Sequence, residues 1–386
     1  GRIGIGRIIS GSVKTGDSIV SIHKSGKKER AVVTTVFEFS GMRHSESVVG
    51  EAGNIVGISG FEDLDIGETL CDSEEREPIP FVDIDPPTLQ MQFCVNDGPL
   101  AGREGKFLTS RNLRDRLYKE VRTNISLAVA DTNVPNIFTV SARGELQIAI
   151  LVEQMRREGF EMLVSRPEVI MKKDGNQTLE PFESLWVDTP QDRLGDIMQN
   201  LAGRKAQITN MHHHGDRVNL EATIPTRGVI GFETDMVNLT SGRAVMSHMF
   251  KEYAAHCGPV TSRSSGTLVS MESGTATGWA LDSLQERGKL FVGPGDVVYV
   301  GMIVGENARA EDIPVNPTKE KPLSNMRSTG HDKAVMLEPP IKMSLEHAIE
   351  YIAQDEYVEA TPKSLRLRKK ILDANKRKRA SSKVES

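Results

Sequence analysis

The sequence has few of the features that assign a protein quickly to a functional class. Aromatic residues make up only 5% of its 386 residues, which argues against broad surfaces for stacking nucleic-acid bases. Its three cysteines, Cys71, Cys94 and Cys257, form no CxxC pair, so we expect a reducing compartment and no disulfide framework. No apolar run reaches the roughly 18 residues of a membrane span, and no signal peptide is visible. We therefore expect a cytoplasmic protein without a membrane partner.

Nucleotide-binding motifs are missing as well. The sequence contains no GxxxxGK[ST] phosphate loop and no GxGxxG that follows a strand and opens a helix. The glycine-rich GRIGIGRI at the start alternates like a strand, and no helix follows it whose N-terminus could hold a phosphate. We expect no catalytic site and no cofactor in this chain.

Charge is balanced in total and uneven in distribution. The net charge is −5, from 48 basic and 53 acidic residues, which does not suit a uniformly basic nucleic-acid binder. Residues 62–85 contain ten acidic residues and one basic residue, whereas residues 363–379 contain nine basic residues and one acidic residue. Such a chain can present a basic face locally while it remains mildly acidic overall.

The first part of the chain predicts strands. Short apolar runs separated by glycine-containing turns, such as RIGIGRIIS, DSIVSI and GNIVGISG, are typical of a small closed β-barrel. The acidic, proline-containing DSEEREPIPFVDIDPP that follows is predicted to be a linker.

The middle of the chain contains one pattern twice. The apolar spacing alternates in the order strand, helix, strand, strand, helix, strand, which is the order of a ferredoxin-like βαββαβ domain. We predict the first copy at 88–95, 110–123, 126–130, 137–141, 144–158 and 161–169. We predict the second copy at 182–188, 192–201, 206–211, 217–224, 228–239 and 244–250.

The carboxyl part repeats neither pattern. It is strand-rich, with later strands predicted at 334–340 and 364–372. Ser344 is a candidate N-cap for a helix that ends at Ile352, and residues 373–386 are predicted to be a polar tail. The whole chain therefore predicts a multi-domain fold of the α+β and β classes.

Two basic stretches are the strongest functional candidates. Residues 316–333, NPTKEKPLSNMRSTGHDK, are polar and basic, and loops longer than about 12–15 residues are usually functional or disordered. In residues 363–379, dense like charges repel one another unless a polyanion offsets them, which favours phosphate contact over a solvated charged face.

Other polar motifs suggest metal binding or RNA contact, but each also has a purely structural explanation. His212, His213 and His214 could suggest a metal site, but alternate residues of an extended chain point to opposite sides, and a solvated hairpin turn is favoured. The arginines of RREG (156–159) and SRPEV (165–169) are candidates for RNA contacts or for helix-end charges, and Gly159 is predicted to be a left-handed helix cap.

These segments resemble translational GTPases. GRIGIGRIISGSVKTGD resembles their barrel domain, SARGELQIAILVEQMRREGFEMLVSRPEVI resembles their third domain, and PTRGVIGFETDMVNLTSG resembles the fifth domain of the elongation factor G group. LQERGKLFVGPGDVVYVGMIVGEN, LSNMRSTG and TPKSLRLRKKIL resemble the BipA/TypA family specifically. The resemblance implies a barrel at 1–86 that lacks its opening strand, ferredoxin-like domains at 87–172 and 173–262, and a family-specific carboxyl domain at 263–386.

The same resemblance implies what the chain contacts. Because the GTPase domain is absent, the chain resembles an amino-truncated member, and GTP and Mg²⁺ are expected only with that missing domain. The implied partners are the 70S ribosome, rRNA and the acceptor end of the A-site tRNA, with roles in stress-responsive translation and large-subunit assembly. The alternatives are a stand-alone RNA-binding or assembly module without GTPase activity and, more remotely, a metal hydrolase that uses the histidine triplet. The candidate RNA-binding residues are Lys319, Lys321, Asn325, Arg327, Ser328, His331, Lys363, Arg366, Arg368, Lys369 and Lys370.

Overall fold

A computed structural model describes most of the chain. The described residues are 3–23, 25–41, 43–61, 64–80, 86–175, 177–260, 263, 265–321 and 336–384, without the side chains of Ser40 and residues 381–384. They fall into two units, one formed by residues 1–84 with 122–125 and the other by residues 85–121 with 126–386.

The first unit consists of short antiparallel strands. They form a four-stranded sheet in the order β1-β8-β5-β6, a three-stranded sheet in the order β4-β3-β9 and the pair β2-β7. One apolar cluster, which includes Val36, Val56 and Ile58, lies among them. The strands are β1 (Ile3–Arg7), β2 (Ser12–Lys14), β3 (Ser18–Ile22), β4 (Lys28–Val32), β5 (Thr35–Ser40), β6 (Arg43–Ser47), β7 (Val49–Glu51), β8 (Ile55–Ser59) and β9 (Thr69–Cys71).

The second unit contains both helices and strands. Its elements up to residue 255 are β10 (Leu89–Val95), α1 (Ser110–Val121), β11 (Ala128–Asp131), β12 (Ile137–Ala142), α2 (Glu145–Glu158), β13 (Met162–Ser165), β14 (Glu168–Val169), β15 (Lys172–Asp174), β16 (Gln177–Pro190), a 3₁₀ turn (Gln191–Arg193), α3 (Leu194–Gly203), β17 (Gln207–His214), β18 (Arg217–Pro225), α4 (Thr226–Val229), α5 (Phe232–Thr240) and β19 (Val245–Ala255). The later elements are β20 (Thr267–Ser270), β21 (Gly274–Thr275), α6 (Gly278–Gln285), β22 (Gly288–Leu290), β23 (Val297–Val298), β24 (Met302–Asn307), β25 (Ile313–Val315), α7 (Leu345–Tyr351), β26 (Glu356–Ala360), β27 (Leu365–Lys369) and α8 (Ala374–Val384).

An eleven-stranded sheet dominates the second unit. Its order is β11-β12-β10-β13-β26-β27-β24-β20-β25, with β14 paired to β10 and β22 paired to β24. The step from β13 to β26 is antiparallel, from Met162 opposite Ala360 to Ser165 opposite Tyr357. Both strands are buried along their whole length, so each needs a neighbour on both edges. Segments that the sequence assigns to separate domains, 87–172 and 263–386, thus share one sheet.

A five-stranded sheet forms another part of this unit, and β21 and β23 form a separate pair. Its order is β15-β16-β18-β17, with β19 paired to β16. The core includes Leu185, Leu220, Ile197 and Phe232, so α3 and α5 cover one face of the sheet. The strand and helix order predicted for both repeats is present in the structure.

Several local predictions are confirmed. Gly159 ends α2 in the left-handed conformation, with φ 99°, and its N–H donates to the Arg156 carbonyl at 3.0 Å. The Ser344 hydroxyl caps α7 by accepting a hydrogen bond from the His347 N–H at 3.2 Å. Both are short-range features that follow from the identity of one residue and its position at a helix end.

Other local predictions are wrong. The helix predicted at 228–239 is split into α4 and α5 because Gly231 lies between them with φ 72°, a left-handed conformation that interrupts a helix. Residues 336–340 of the strand predicted at 334–340 are not a strand, and residues 334–335 lie outside the described residues. The predicted polar tail contains helix α8, which begins after Asp373, whose carboxylate accepts from the Lys376 N–H at 2.8 Å. An N-cap aspartate followed by good helix formers was the signal available in the sequence.

Candidate nucleic-acid interface

Strand β27 carries three of the candidate RNA-binding residues. It pairs with β26 along its length and with β24 at Leu367 and Arg368, so its side chains alternate between the two covered faces of the large sheet. The side chains of Arg368 and Lys369 are 2% exposed and that of Arg366 is 13% exposed. This part of the basic stretch is therefore inside the molecule.

Arg366 is paired with two carboxylates, Glu104 from a distant part of the chain and Glu359 from the neighbouring strand β26. Its Nη2 contacts Glu104, and its Nη1 donates to Glu359 Oε1 at 3.3 Å. Glu359 is fully buried and also accepts from the Tyr299 hydroxyl and from Asn96 Nδ2, the latter at 3.2 Å. Hydrogen bonds and the Arg366 charge outweigh the effect of burial and lower the pKa of Glu104.

Lys369 occupies the centre of a second acidic cluster. Its Nζ lies 2.5 Å from Asp312, 2.9 Å from Asp355 and 2.9 Å from Glu356. Against the effect of burial, these carboxylates raise the pKa of Lys369. The side chain is therefore held in its charged form by partners within the protein.

Arg368 completes the set, with Nη1 donating to Asp97 Oδ1 at 2.8 Å. The prediction that this stretch contacts phosphate depends on an external polyanion as the partner that offsets its charge. That premise is wrong for Arg366, Arg368 and Lys369, because carboxylates of the same chain balance them. The contact of these three residues with RNA stays a prediction, and their geometry does not favour it.

The remaining cations of the basic stretch lie nearer the surface. Lys363 is exposed in the turn between β26 and β27, and Lys370 is half-buried with its Nζ 4.8 Å from the centre of the Tyr357 ring. In α8, Lys376, Lys378 and Arg379 are exposed. These positions can reach an external anion without breaking the strand pairing.

The base of the 316–333 loop is ordered around a tryptophan. The Thr277 hydroxyl donates to the Lys319 carbonyl at 2.6 Å, and Lys319 Nζ lies 5.5 Å from the centre of the Trp279 ring. Lys319 and Lys321 are both exposed. Asn325, Arg327, Ser328 and His331 lie outside the described residues. Trp279 was not a candidate, because the loop itself contains no aromatic residue and Trp279 is far from it in sequence.

The histidine triplet lies in a strand and not in the turn that the sequence predicts. His212 is opposite Asn219 and His214 is opposite Arg217 in the β17–β18 pairing, and Gly215 with φ 62° begins the two-residue turn. Glycine at this position allows the strands to continue to the tip of the hairpin.

The residues present do not fit the GTP and Mg²⁺ that the resemblance implies for the GTPase domain. The sequence has no phosphate loop, and the described part of the chain has no group of three or more His, Cys, Asp or Glu side chains that could hold a metal ion. Within the same residues, no helix has the length and apolar character needed to cross a membrane.

Three family descriptions match successive parts of the chain. Residues 1–71 match elongation factor Tu domain 2, residues 177–263 match the elongation factor G C-terminus, and residues 265–374 match the TypA/BipA C-terminal domain. The "Large ribosomal subunit assembly factor BipA" of Bacillus subtilis (strain 168) is 43% identical over 388 residues, which cover 100% of this chain and 63% of that protein.

This chain belongs to the BipA family. The protein of the same name from Salmonella typhimurium is 45% identical, and the match covers 99% of this chain and 63% of that protein. The Synechocystis protein is 44% identical, with 96% and 62% covered. The chain thus spans 62–63% of the length of these curated relatives. The family resemblance inferred from the sequence is confirmed.

Structural similarity adds little to this assignment. A crystal structure of a protein from Thermus thermophilus is 18% identical, with a TM-score of 0.43, and covers 66% of this chain and 53% of that one. In this BipA-family chain, the carboxyl-terminal match contains the 316–333 loop and β27 and ends where α8 begins.

Proposed function

We propose that this chain is the ribosome-binding portion of a BipA-type translational GTPase, with a role in large-subunit assembly and stress-responsive translation in the cytoplasm. The observation that carries the proposal is the identity of 43–45% along the chain to proteins named large ribosomal subunit assembly factor. The proposed domains are a barrel at 1–86, ferredoxin-like domains at 87–172 and 173–262, and the carboxyl domain at 263–386.

The proposed contacts divide the basic residues into two groups. Exposed cations, Lys363, Lys376, Lys378 and Arg379, contact rRNA phosphates, with Lys370 at the margin. Arg366, Arg368 and Lys369 hold the sheet that carries them. The exposure of the first group and the ion pairs of the second support this division.

The 316–333 loop is proposed to contact the acceptor end of the A-site tRNA. Lys319 and Lys321 contribute charge at its base, and Asn325, Arg327, Ser328 and His331 contribute polar groups farther along. Because the loop contains no aromatic residue, recognition relies on backbone and 2′-hydroxyl contacts.

Ribosome pelleting with and without A-site tRNA tests the loop proposal. Replacing Lys321, Asn325 and Arg327 with alanine should leave binding to vacant ribosomes almost unchanged and remove the extra affinity that tRNA confers. Equal loss in both conditions would mean that the loop is a general RNA anchor. If both the unmodified and the substituted protein bind ribosomal RNA and neither responds to tRNA, the stand-alone RNA-binding module is favoured instead.

GTP is proposed to act only through a GTPase domain joined to this portion. The chain itself should give no heat of GTP binding in calorimetry. A micromolar affinity would contradict the assignment of these residues to the ribosome-binding portion.

A further inference from the structure

The glycine-containing loop between β10 and α1 is held in place by a buried carboxylate. Glu161 is 2% exposed, and its oxygens accept from the backbone N–H groups of Gly102 at 2.8 Å, of Glu104 at 2.9 Å and of Gly105. A Cβ atom at position 105 would lie 2.5 Å from the Cγ of Glu161, so glycine allows this close approach. The backbone of this surface loop is therefore fixed before any ligand binds.

Side-chain hydrogen bonds join this loop to the turn between β26 and β27. The Glu104 carboxylate accepts from the Ser364 hydroxyl at 3.1 Å and from the Thr361 hydroxyl. The Thr361 carbonyl accepts from Arg156 Nε, near the end of α2, at 2.7 Å. The loop, the turn and the end of α2 therefore lie side by side, although the turn is more than 200 residues from the other two segments.

Three exposed cations belong to the joined loop and turn. The side chains of Arg103, Lys106 and Lys363 are exposed and have no hydrogen-bond or ion-pair partner among the described residues. Nearby carboxylates are already occupied. The glutamate of the loop is bound to the turn, and Glu158 at the end of α2 accepts from Arg116 Nε and Nη2 at 2.6 and 2.9 Å. This part of the surface therefore carries positive charge that is available to an external anion.

An aromatic ring is exposed directly beside these cations. Phe107 follows Lys106 in the chain and is 39% exposed. Its ring centre lies 4.8 Å from that of Phe160, which is 7% exposed. The Phe107 N–H donates to the Gly159 carbonyl at 3.2 Å, and the Phe107 carbonyl accepts from the Glu161 N–H at 3.2 Å. The ring is thus supported by Phe160 and held by its backbone, while part of it faces solvent.

Cations that contact phosphates, together with an aromatic ring on which a base stacks, are the combination that binds single-stranded nucleic acid. An acidic polypeptide would offset the same charges, but it offers no planar base for the exposed ring. We propose that Arg103, Lys106, Phe107 and Lys363, here called the Phe107 surface, bind single-stranded RNA, with one base stacked on Phe107. This inference rests on the RNA-binding part of the proposed function. It adds the kind of RNA and a surface that the basic stretch alone does not define.

Fluorescence anisotropy of a labelled single-stranded oligouridine RNA with the full chain, over a series of salt concentrations, tests the cations. Replacing Arg103, Lys106 and Lys363 with glutamine should reduce the slope of log affinity against log salt by about 2, at about 0.7 per lost phosphate contact. The matched control replaces Lys14, Lys173 and Lys342, which are exposed at other positions, with glutamine. It removes the same charge and should keep the slope of the unmodified protein.

Two substitutions of Phe107 test the stacking contact in the same assay. Phe107→Leu should weaken RNA binding about tenfold and leave the salt slope unchanged, because the base loses its platform while the phosphate contacts remain. Phe107→Tyr keeps an aromatic ring and should bind within about twofold of the unmodified protein. Equal losses of affinity in the two variants would overturn the stacking role of Phe107.

Ribosome pelleting of the unmodified protein separates failure of this inference from failure of the proposed function. If the protein pellets with ribosomes but does not bind the oligouridine, or if the glutamine variant binds it as the control does, only the Phe107 surface is overturned. If the protein neither pellets nor binds the oligouridine, both proposals are overturned. Polyglutamate that displaces the RNA and binds Phe107→Leu as tightly as the unmodified protein would overturn RNA as the ligand in favour of an acidic polypeptide.

Discussion

Strand β27 and helix α8 are neighbours in the sequence and both are basic, but their charges lie in different environments. In β27, Arg368 and Lys369 are buried and Arg366 is largely buried, and all three contact carboxylates of the same chain. In α8, Lys376, Lys378 and Arg379 are exposed. The density of basic residues along the chain therefore does not tell which of them are available to RNA.

The difference arises from partners that are remote in sequence. Asp97 is 271 residues from Arg368, and Glu104 is 262 residues from Arg366. The pairing of β13 with β26 brings these segments together. A buried cation in such a network mainly fixes the sheet, whereas an exposed cation can gain energy from contact with a polyanion.

The largest expected effect comes from removing the centre of the buried network. Lys369→Ala should lower the free energy of unfolding by about 3–5 kcal/mol, because it leaves the carboxylates around it without their shared cation. Urea unfolding followed by circular dichroism measures this. Lys376→Ala is the matched control and should stay within about 0.5 kcal/mol. If both substitutions changed the free energy of unfolding by equally small amounts, β27 and α8 would not differ in how their cations contribute to stability.

A carboxyl group without a cation partner provides a contrast to the paired carboxylates of β27, and pH tests it. Glu145 begins α2, its Oε2 has no partner among the described residues, and burial and the charge of Glu350 raise the pKa of Glu145 to about 8. Because this pKa is raised on folding, the stability that it contributes is present below about pH 4.5 and is lost as pH rises towards 8.

Glu145→Gln should therefore behave like the protonated protein. We expect its Tm to match the unmodified protein at pH 4.5 and to exceed it by a few degrees at pH 8.5. Glu346→Gln, at an exposed position of α7, should show no such difference between the two conditions. If the Tm of Glu145→Gln does not exceed that of the unmodified protein at pH 8.5, the Glu145 carboxylate is well solvated in the folded protein.

A smaller effect is expected for one pair in the network. A double-mutant cycle on Glu104 and Arg366 should give a coupling of about 1–2 kcal/mol, because both side chains are largely buried. The same cycle on Glu153 and Arg157, an exposed helix pair, should give about 0.3–0.5 kcal/mol. Urea unfolding of the unmodified protein and the six variants measures both values, and equal couplings would contradict the assigned burial.

The smallest stability change is expected at the exposed lysines, where binding should change instead. Replacing Lys363, Lys376 and Lys378 with alanine should alter the free energy of unfolding by less than about 0.5 kcal/mol per site. It should reduce the salt slope of ribosome binding by roughly 2–3, at about 0.7–0.9 per lost phosphate contact. An unchanged slope would place the RNA contacts elsewhere.

The sequence was sufficient for the features that depend on nearby residues. The family motifs, the order of elements in both repeats, the Ser344 cap and the Gly159 cap are all encoded within a few positions. The β13–β26 pairing and the partners of Lys369 were not predictable, because they depend on contacts between distant segments. The helix break at Gly231 and the start of α8 at Asp373 had local signals that the periodicity did not reveal.

Lysine reactivity measured with and without ribosomes tests the division of charges most directly. In brief acetylation followed by mass spectrometry, Lys363, Lys376 and Lys378 should react quickly in the free chain and be protected by ribosomes. Lys369 should react slowly in both conditions, since its side chain is 2% exposed and its Nζ contacts three carboxylates. Rapid modification of Lys369 in the free chain, with protection by ribosomes, would contradict the account.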